Sequence, residues 1–170
     1  MIVRHPWPPV FDERSEVLIL GTIPSPASLR AGFPYGHPQN CFWHVLSEVL
    51  GEEEPAPDPA SRREFLLRSR VALWDVLRSC EIDGASDGSI RNPEFNDFRE
   101  IMGSAPIRAI FATGKAATRL FNSGCAAGAG MEATYLPSTS PANRRMRSDP
   151  AFMERWSLVR RALEDKKEAV

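Results

Sequence analysis

Leu18-Ile-Leu-Gly-Thr-Ile-Pro-Ser-Pro-Ala-Ser-Leu29, followed closely by Phe33-Pro-Tyr-Gly-His-Pro-Gln-Asn-Cys-Phe-Trp43, is the stretch on which the fold turns. Val17 to Leu20 are a continuous apolar run, the pattern of a strand covered on both faces of a parallel sheet. The strand, Ser15 to Gly21, opens onto roughly seventeen residues rich in Pro, Gly and Ser before a helix begins. Connections in compact domains are mostly ~4–6 residues long. An opening this wide after a buried strand therefore marks a binding or active site.

Downstream, Cys41, Phe42, Val45, Leu46, Val49 and Leu50 recur at helical spacing, predicting a helix from about Gln39 to Leu50 that ends at Gly51, with Asn40 in its first turn. Residues 51–60 hold three prolines and four acids and read as an exposed connection to a helix starting near Ser61. Val71 to Val76 is a second strand, and Cys80 to Ser89 a turn-rich loop. Asn92-Pro93 fits a cap and first position of a helix whose apolar face is Phe95, Phe98, Ile101 and Met102. Ile107 to Thr113 is a third strand. Gly114-Lys115 then opens a helix carrying Ala117, Leu120 and Phe121. Ala133 to Pro137 is a fourth strand leading into Leu136-Pro-Ser-Thr-Ser-Pro-Ala-Asn-Arg144, and Asp149-Pro150 starts a helix with Phe152, Trp156, Val159 and Leu163 on one face. Strands alternating with helices make an α/β domain with a parallel sheet covered on both sides. In such sheets ligands bind at the C-terminal strand edge, where all of these loops lie.

The chain has 170 residues, which fits one domain over 1–170. Its 42% hydrophobic and 25% charged residues are ordinary for a soluble protein, and no apolar run approaches the ~18 residues of a membrane span. The N-terminus lacks the apolar core and cleavage site of a secretory signal, so a cytoplasmic protein is expected. Cys41, Cys80 and Cys125 are scattered and odd in number, which speaks for reduced, buried thiols and against a disulfide framework, a zinc site or an iron-sulfur cluster. His5, His37 and His44 do not make a metal centre, and no cofactor is implied. The net charge of −1 offers little to a polyanion, but residues 140–170 carry eight Lys or Arg against five acids, among them Arg144, Arg145, Arg147, Lys166 and Lys167. Thr113-Gly114-Lys115 fails the phosphate-loop pattern, with Ala109 and Ala116 at two of its key positions.

The two motifs resemble those of the uracil-DNA glycosylase superfamily, and most closely its hypoxanthine- (deoxyinosine-) DNA glycosylase branch, whose His-Pro-x-Asn-x-Phe-Trp is matched by His37 to Trp43. The resemblance implies a three-layer α/β/α domain around a four-stranded parallel sheet. It also implies a monofunctional enzyme that removes a deaminated base from DNA, acts as a monomer and reaches the nucleoid through its substrate.

By that resemblance Asn40 is the catalytic residue. A neutral amide does not take a proton at neutral pH, but its carbonyl orients a water, which suffices for a dissociative transition state. Tyr35 occupies the place of a base-stacking ring. Backbone amides around Thr22 and Ile23 are candidates to hold a base carbonyl, and Asp75 stands where relatives read the base. A carboxylate there accepts the N1–H of hypoxanthine and repels uracil O4. Ser138, Thr139, Ser140 and Asn143 match the motif that grips the DNA backbone, with Arg144 and Arg145 as phosphate partners.

Two departures keep other readings open. Ile23 stands where most of the superfamily has its water-activating Asp or Asn, and Ala142 where relatives have a strand-opening wedge. A uracil or G·U mismatch glycosylase and a silent binder of damaged DNA are the alternatives. A Ser138-His37-Asp75 hydrolase lacks the Gly-x-Ser-x-Gly elbow.

Overall fold

The apolar run at 17–20 is a strand with every residue wholly shielded from water, and the computed structural model, which describes residues 1–165, is organised around it. Lys166 and Lys167 lie outside the described residues. In chain order the elements are β1 (Ile2–Arg4), β2 (Val17–Gly21), α1 (Pro26–Ala31), α2 (Phe42–Leu50), α3 (Pro59–Arg68), β3 (Val71–Asp75), β4 (Leu77–Glu81), β5 (Arg91–Phe95), α4 (Arg99–Ser104), β6 (Ala109–Thr113), α5 (Lys115–Gly124), α6 (Ala126–Ala129), β7 (Ala133–Leu136) and α7 (Pro150–Glu164). 3₁₀ turns cover Asp87–Ser89 and Pro141–Ser148.

The main sheet has the order β3-β2-β6-β7 and is parallel throughout. Side chains alternate across a pleated strand. Val17 and Ile19 therefore join Val71, Leu73 and Phe111 in a core roofed by Phe42, Trp43 and Leu46 of α2, Phe65 of α3, and Phe152, Trp156 and Val159 of α7. Leu18 and Leu20 point the other way, with Ala72, Ile110 and Ala112, toward Ile101 of α4 and Ala117 and Phe121 of α5. This is the expected α/β/α arrangement around four parallel strands.

Local chemistry sets the helix ends. Asp149 Oδ1 accepts the Ala151 N–H at 2.9 Å with Pro150 at the first helical position. Gly51 takes φ 69°, closing α2 with its N–H on the Ser47 and Glu48 carbonyls. α2 starts at Phe42, later than periodicity predicts, because residues 37–40 form a turn in which the Asn40 N–H reaches the His37 carbonyl at 2.9 Å. α3 starts earlier, at Pro59, inside the segment read as a connection. Asp58 caps it by accepting the Ser61 N–H at 2.8 Å.

One prediction fails. Asn92-Pro93 does not open a helix: Arg91–Phe95 is a strand, and the helix waits until Arg99. Leu77–Glu81, whose last two residues are read as the start of a loop, is also a strand. β1, β4 and β5 form a second, antiparallel sheet in the order β1-β4-β5. β5 is an edge strand, and proline is tolerated there because no ladder bond is required on the open side. Leu77, Cys80 and Val3 of this small sheet complete the second core. Among the described residues no helix is long and apolar enough to cross a membrane.

Cys41, Cys80 and Cys125 are free and buried. Burial pushes all three thiols up, Cys125 to about 11. Since the thiolate is the reactive form, we expect an aromatic disulfide reagent to leave all three cysteines unlabelled in the folded protein at neutral pH and to titrate all three once urea unfolds it.

Candidate active site

The C-terminal ends of β2, β3 and β6 and the loops after them enclose a cavity of about 150 Å³. That is below the ~300–1,000 Å³ of drug-sized pockets and suits a single heterocycle. Thr22, Ile23, Tyr35, Asn40 and Asp75 line it, as do Ser138, Thr139 and Ser140. Asn143, Arg144 and Arg145 follow just outside.

Asp75 ends β3 directly opposite Gly21 of β2. A Cβ on Gly21 would lie 2.4 Å from Asp75 Oδ1 and 2.9 Å from the Tyr35 hydroxyl, so only glycine lets these two groups meet over the strand end. Asp75 is 5% exposed, and a buried carboxylate needs a donor. The donor is His5. Its Nδ1 accepts the Trp7 N–H at 3.2 Å, which fixes the proton on Nε2, and Nε2 donates to Asp75 Oδ2 at 2.7 Å. Asn96 holds the Asp75 main chain, its Nδ2 donating to the carbonyl at 2.9 Å.

Tyr35 has φ 56° and stacks face to face on Phe42, with centroids 3.9 Å apart and planes 4° from parallel. One ring face is thus occupied, and the other is what it offers to a ligand. The Thr113 hydroxyl donates to the Leu20 carbonyl at 3.4 Å and so accepts from the Tyr35 hydroxyl at 2.9 Å. Burial, then the charge of Asp75, drive the phenol far above its ordinary pKa, so it remains a neutral donor.

Asn40 lies one residue ahead of Cys41, the N-cap position of α2, rather than in the first turn, and it caps the helix from there as well as lining the cavity: Oδ1 accepts the Phe42 N–H at 3.0 Å. A carbonyl oxygen has two lone pairs. The cap uses one and orients the amide, leaving the second for a water. The Ile23 side chain packs against the second core and offers no polar atom, so what Ile23 brings to the cavity is its main chain. Thr22 is 6% exposed, and its hydroxyl donates to Asp87 Oδ2 at 3.1 Å.

In the downstream motif Thr139 is 2% exposed, and its hydroxyl has no hydrogen-bond partner among the described residues. Its carbonyl accepts the Cys41 N–H at 3.2 Å, joining the two motifs. Asn143 Nδ2 donates to the Ser138 carbonyl at 2.8 Å and staples the loop. Trp156 Nε1 anchors the loop from below by donating to the Pro137 carbonyl at 3.0 Å. Arg144, Arg145 and Arg147 project from the 3₁₀ turn into solvent. His37 spends Nδ1 on the Gln39 N–H at 3.0 Å, and the Ser138 hydroxyl accepts the Ser140 N–H at 3.2 Å, so no Ser-His-Asp relay forms.

His5 and Asp87 are functional candidates that the sequence did not reveal. His5 lies 70 residues from Asp75, and Asp87 lies 65 from Thr22. No local spacing betrays either contact.

The family model described as the uracil DNA glycosylase superfamily matches residues 8–160. A hypoxanthine DNA glycosylase of Methanosarcina barkeri is 36% identical over 143 residues, 84% of this chain and 89% of that protein. One of Methanosarcina acetivorans is 34% identical over 145 residues, 85% and 90% of the two chains. The solution NMR structure of a protein from M. acetivorans, provisionally assigned as a uracil DNA glycosylase, superposes with a TM-score of 0.78 at 35% identity, covering 96% of this chain and 99% of that one.

Because His5 is the donor to a buried carboxylate, His5→Ala should cost about 1–3 kcal/mol of stability at neutral pH. It would appear as a lower urea midpoint at unchanged slope. Asp75→Asn in the His5→Ala background should recover part of the loss by removing the unpaired charge.

Proposed function

The chain belongs to the uracil DNA glycosylase superfamily, and from this footing we propose that it is a DNA glycosylase that hydrolyses the N-glycosidic bond of deoxyinosine, releasing hypoxanthine and leaving an abasic site. The observation that carries the reading is the meeting, in one base-sized cavity, of a stacking ring, an oriented amide and a carboxylate with one free oxygen: Tyr35, Asn40 and Asp75. The relatives named hypoxanthine DNA glycosylase support the choice of base.

An enzyme that acts on a base inside duplex DNA must take it out of the stack. The extruded base lies on the open face of Tyr35. Asp75 Oδ2 is committed to His5, so Oδ1 is left to accept the N1–H of hypoxanthine. Uracil O4 presented to the same oxygen meets lone-pair repulsion. As the C1′–N9 bond breaks, the sugar develops oxocarbenium character, and the second lone pair of Asn40 Oδ1 aims a water at C1′. Position matters more than basicity in such a step. No lysine lines the cavity among the described residues, which supports simple hydrolysis without a Schiff base. One chain supplies every group of the cavity, consistent with a single 1–170 glycosylase domain acting as a monomer, held on the nucleoid by its DNA. Arg144, Arg145 and Arg147 meet the phosphates flanking the lesion.

The test uses matched labelled oligonucleotides carrying one deoxyinosine, one deoxyuridine or neither, treated with hot alkali after incubation. Strand breaks at deoxyinosine are expected. Breaks at neither lesion, with binding retained, would overturn the reading. Asn40→Ala removes both water and cap, lowering excision by at least ~10²-fold and stability by about 1 kcal/mol. Asn40→Ser keeps a capping oxygen but withdraws it from the cavity. It should match the wild type in urea and still lose the excision, separating chemistry from capping.

Phosphate contacts are read by salt. Removing Arg144 and Arg145 together should reduce the slope of log affinity against log salt by about two while leaving the ratio of deoxyinosine to undamaged affinity nearly unchanged.

A further inference from the structure

The loop between β4 and β5 enters the cavity through Gly84, Ala85 and Asp87, although it belongs to neither motif. It is built to hold its shape. Ser89 Oγ donates to the Ser86 carbonyl at 2.6 Å and accepts the Asp83 N–H at 2.8 Å, while the Ser86 N–H reaches the Asp83 carbonyl at 3.2 Å. The turn presents Asp87 to the end of β2, where Oδ2 accepts from the Thr22 hydroxyl at 3.1 Å. Among the described residues Oδ1 has no hydrogen-bond partner.

The cavity thus has two carboxyl groups with different company. Asp75 is matched by the His5 N–H, whereas Asp87 has only a neutral hydroxyl. The titratable groups facing Asp87 are Asp75 from β3, the Tyr35 phenol and the Cys80 thiol of β4. On its own hairpin, Arg91 is engaged with Glu81 and Asp83 at 3.7 and 3.9 Å. Desolvation first, then the charge of Asp75, push the Asp87 carboxyl above the usual carboxylate range, against the opposing pull of Thr22. Asp87 as a residue remains open to solvent, so a proton lost from it is readily replaced.

We propose that Asp87 is the proton donor to the departing purine. This rests on the hypoxanthine glycosylase reading and deepens it. In the step, the Asp87 carboxyl proton passes from Oδ1 to N7 of the base. The C1′–N9 bond breaks with its electron pair going to the base, which leaves as neutral hypoxanthine. The oxygen of the water held by Asn40 bonds to C1′ and gives up one proton to solvent, and the Asp87 carboxylate takes a proton back from solvent. Asp75 reads the N1 edge while Asp87 meets the imidazole edge, so the two acids divide one purine between them. A pyrimidine has no N7 and gains nothing from this group.

Single-turnover release of hypoxanthine by wild type, Asp87→Asn and Asp87→Glu, measured from about pH 5 to about pH 9, tests the assignment. Wild type should slow on the alkaline side as the donor ionises. Asp87→Asn, which preserves shape and a bond to Thr22, should be ~10²-fold slower at its optimum and lose that alkaline limb. Asp87→Glu, still an acid, should restore both the limb and at least a tenth of the rate. An Asp87→Asn enzyme that folds as wild type and stays within ~3-fold of its rate, or keeps the alkaline limb, would overturn the proposal and leave the glycosylase reading standing. Wild type that releases no hypoxanthine would overturn both.

Discussion

Four successive residues that all have to leave water, Val17 to Leu20, impose most of the architecture. In a pleated strand they face alternately up and down, so neither side of β2 can be left to solvent. Strands on both flanks and apolar layers on both faces follow as a necessity. β3 and β6 supply the flanks, α2, α3 and α7 one layer, and α4 and α5 with the small antiparallel sheet the other. Parallel pairing then sends every strand out on the same side, which gathers Gly21, Asp75 and Thr113 at one rim. The cavity exists because the glycine at that rim carries no side chain.

The rim concentrates polar groups that an apolar interior would reject, and each is accommodated by a specific partner. His5 accommodates Asp75, Thr113 the Tyr35 hydroxyl, and Thr22 part of Asp87. In the reaction proposed above, the same residues serve stability and recognition. Asn40 shows the economy most clearly, since the helix cap that orders the loop is also what turns its carbonyl toward the pocket. In the hydrolysis proposed above, capping and chemistry are two uses of one oxygen.

The layers were legible because apolar periodicity is local. A continuous apolar run marked β2 and short apolar stretches the other three parallel strands, and Phe152, Trp156, Val159 and Leu163 marked α7 at the spacing that the packing confirms. The motif residues of the cavity were legible through their likeness to a known family. The antiparallel hairpin was not. Arg91-Asn-Pro-Glu-Phe95 is largely exposed, pairs on one side only, and carries an Asn-Pro that imitates a helix start. His5 and Asp87 were hidden for a different reason. Their meaning lies in partners reached only through the tertiary fold, and a polar side chain near a terminus or in a turn gives no pattern of its own.

The hairpin leaves the core at Val76 and comes back beside it, the Asn96 N–H bonding the Val76 carbonyl at 2.9 Å. Residues 77–95 are thus an excursion whose two ends meet, held along its length by β1 and the second core, contributing one wall of the pocket and no strand of the main sheet. Lengthening such a segment costs little, about 0.6 kcal/mol of closure entropy per doubling. The framework can accordingly hold its main sheet and its two motifs fixed while this wall of the pocket changes in length, a division of labour in which insertion leaves the core untouched.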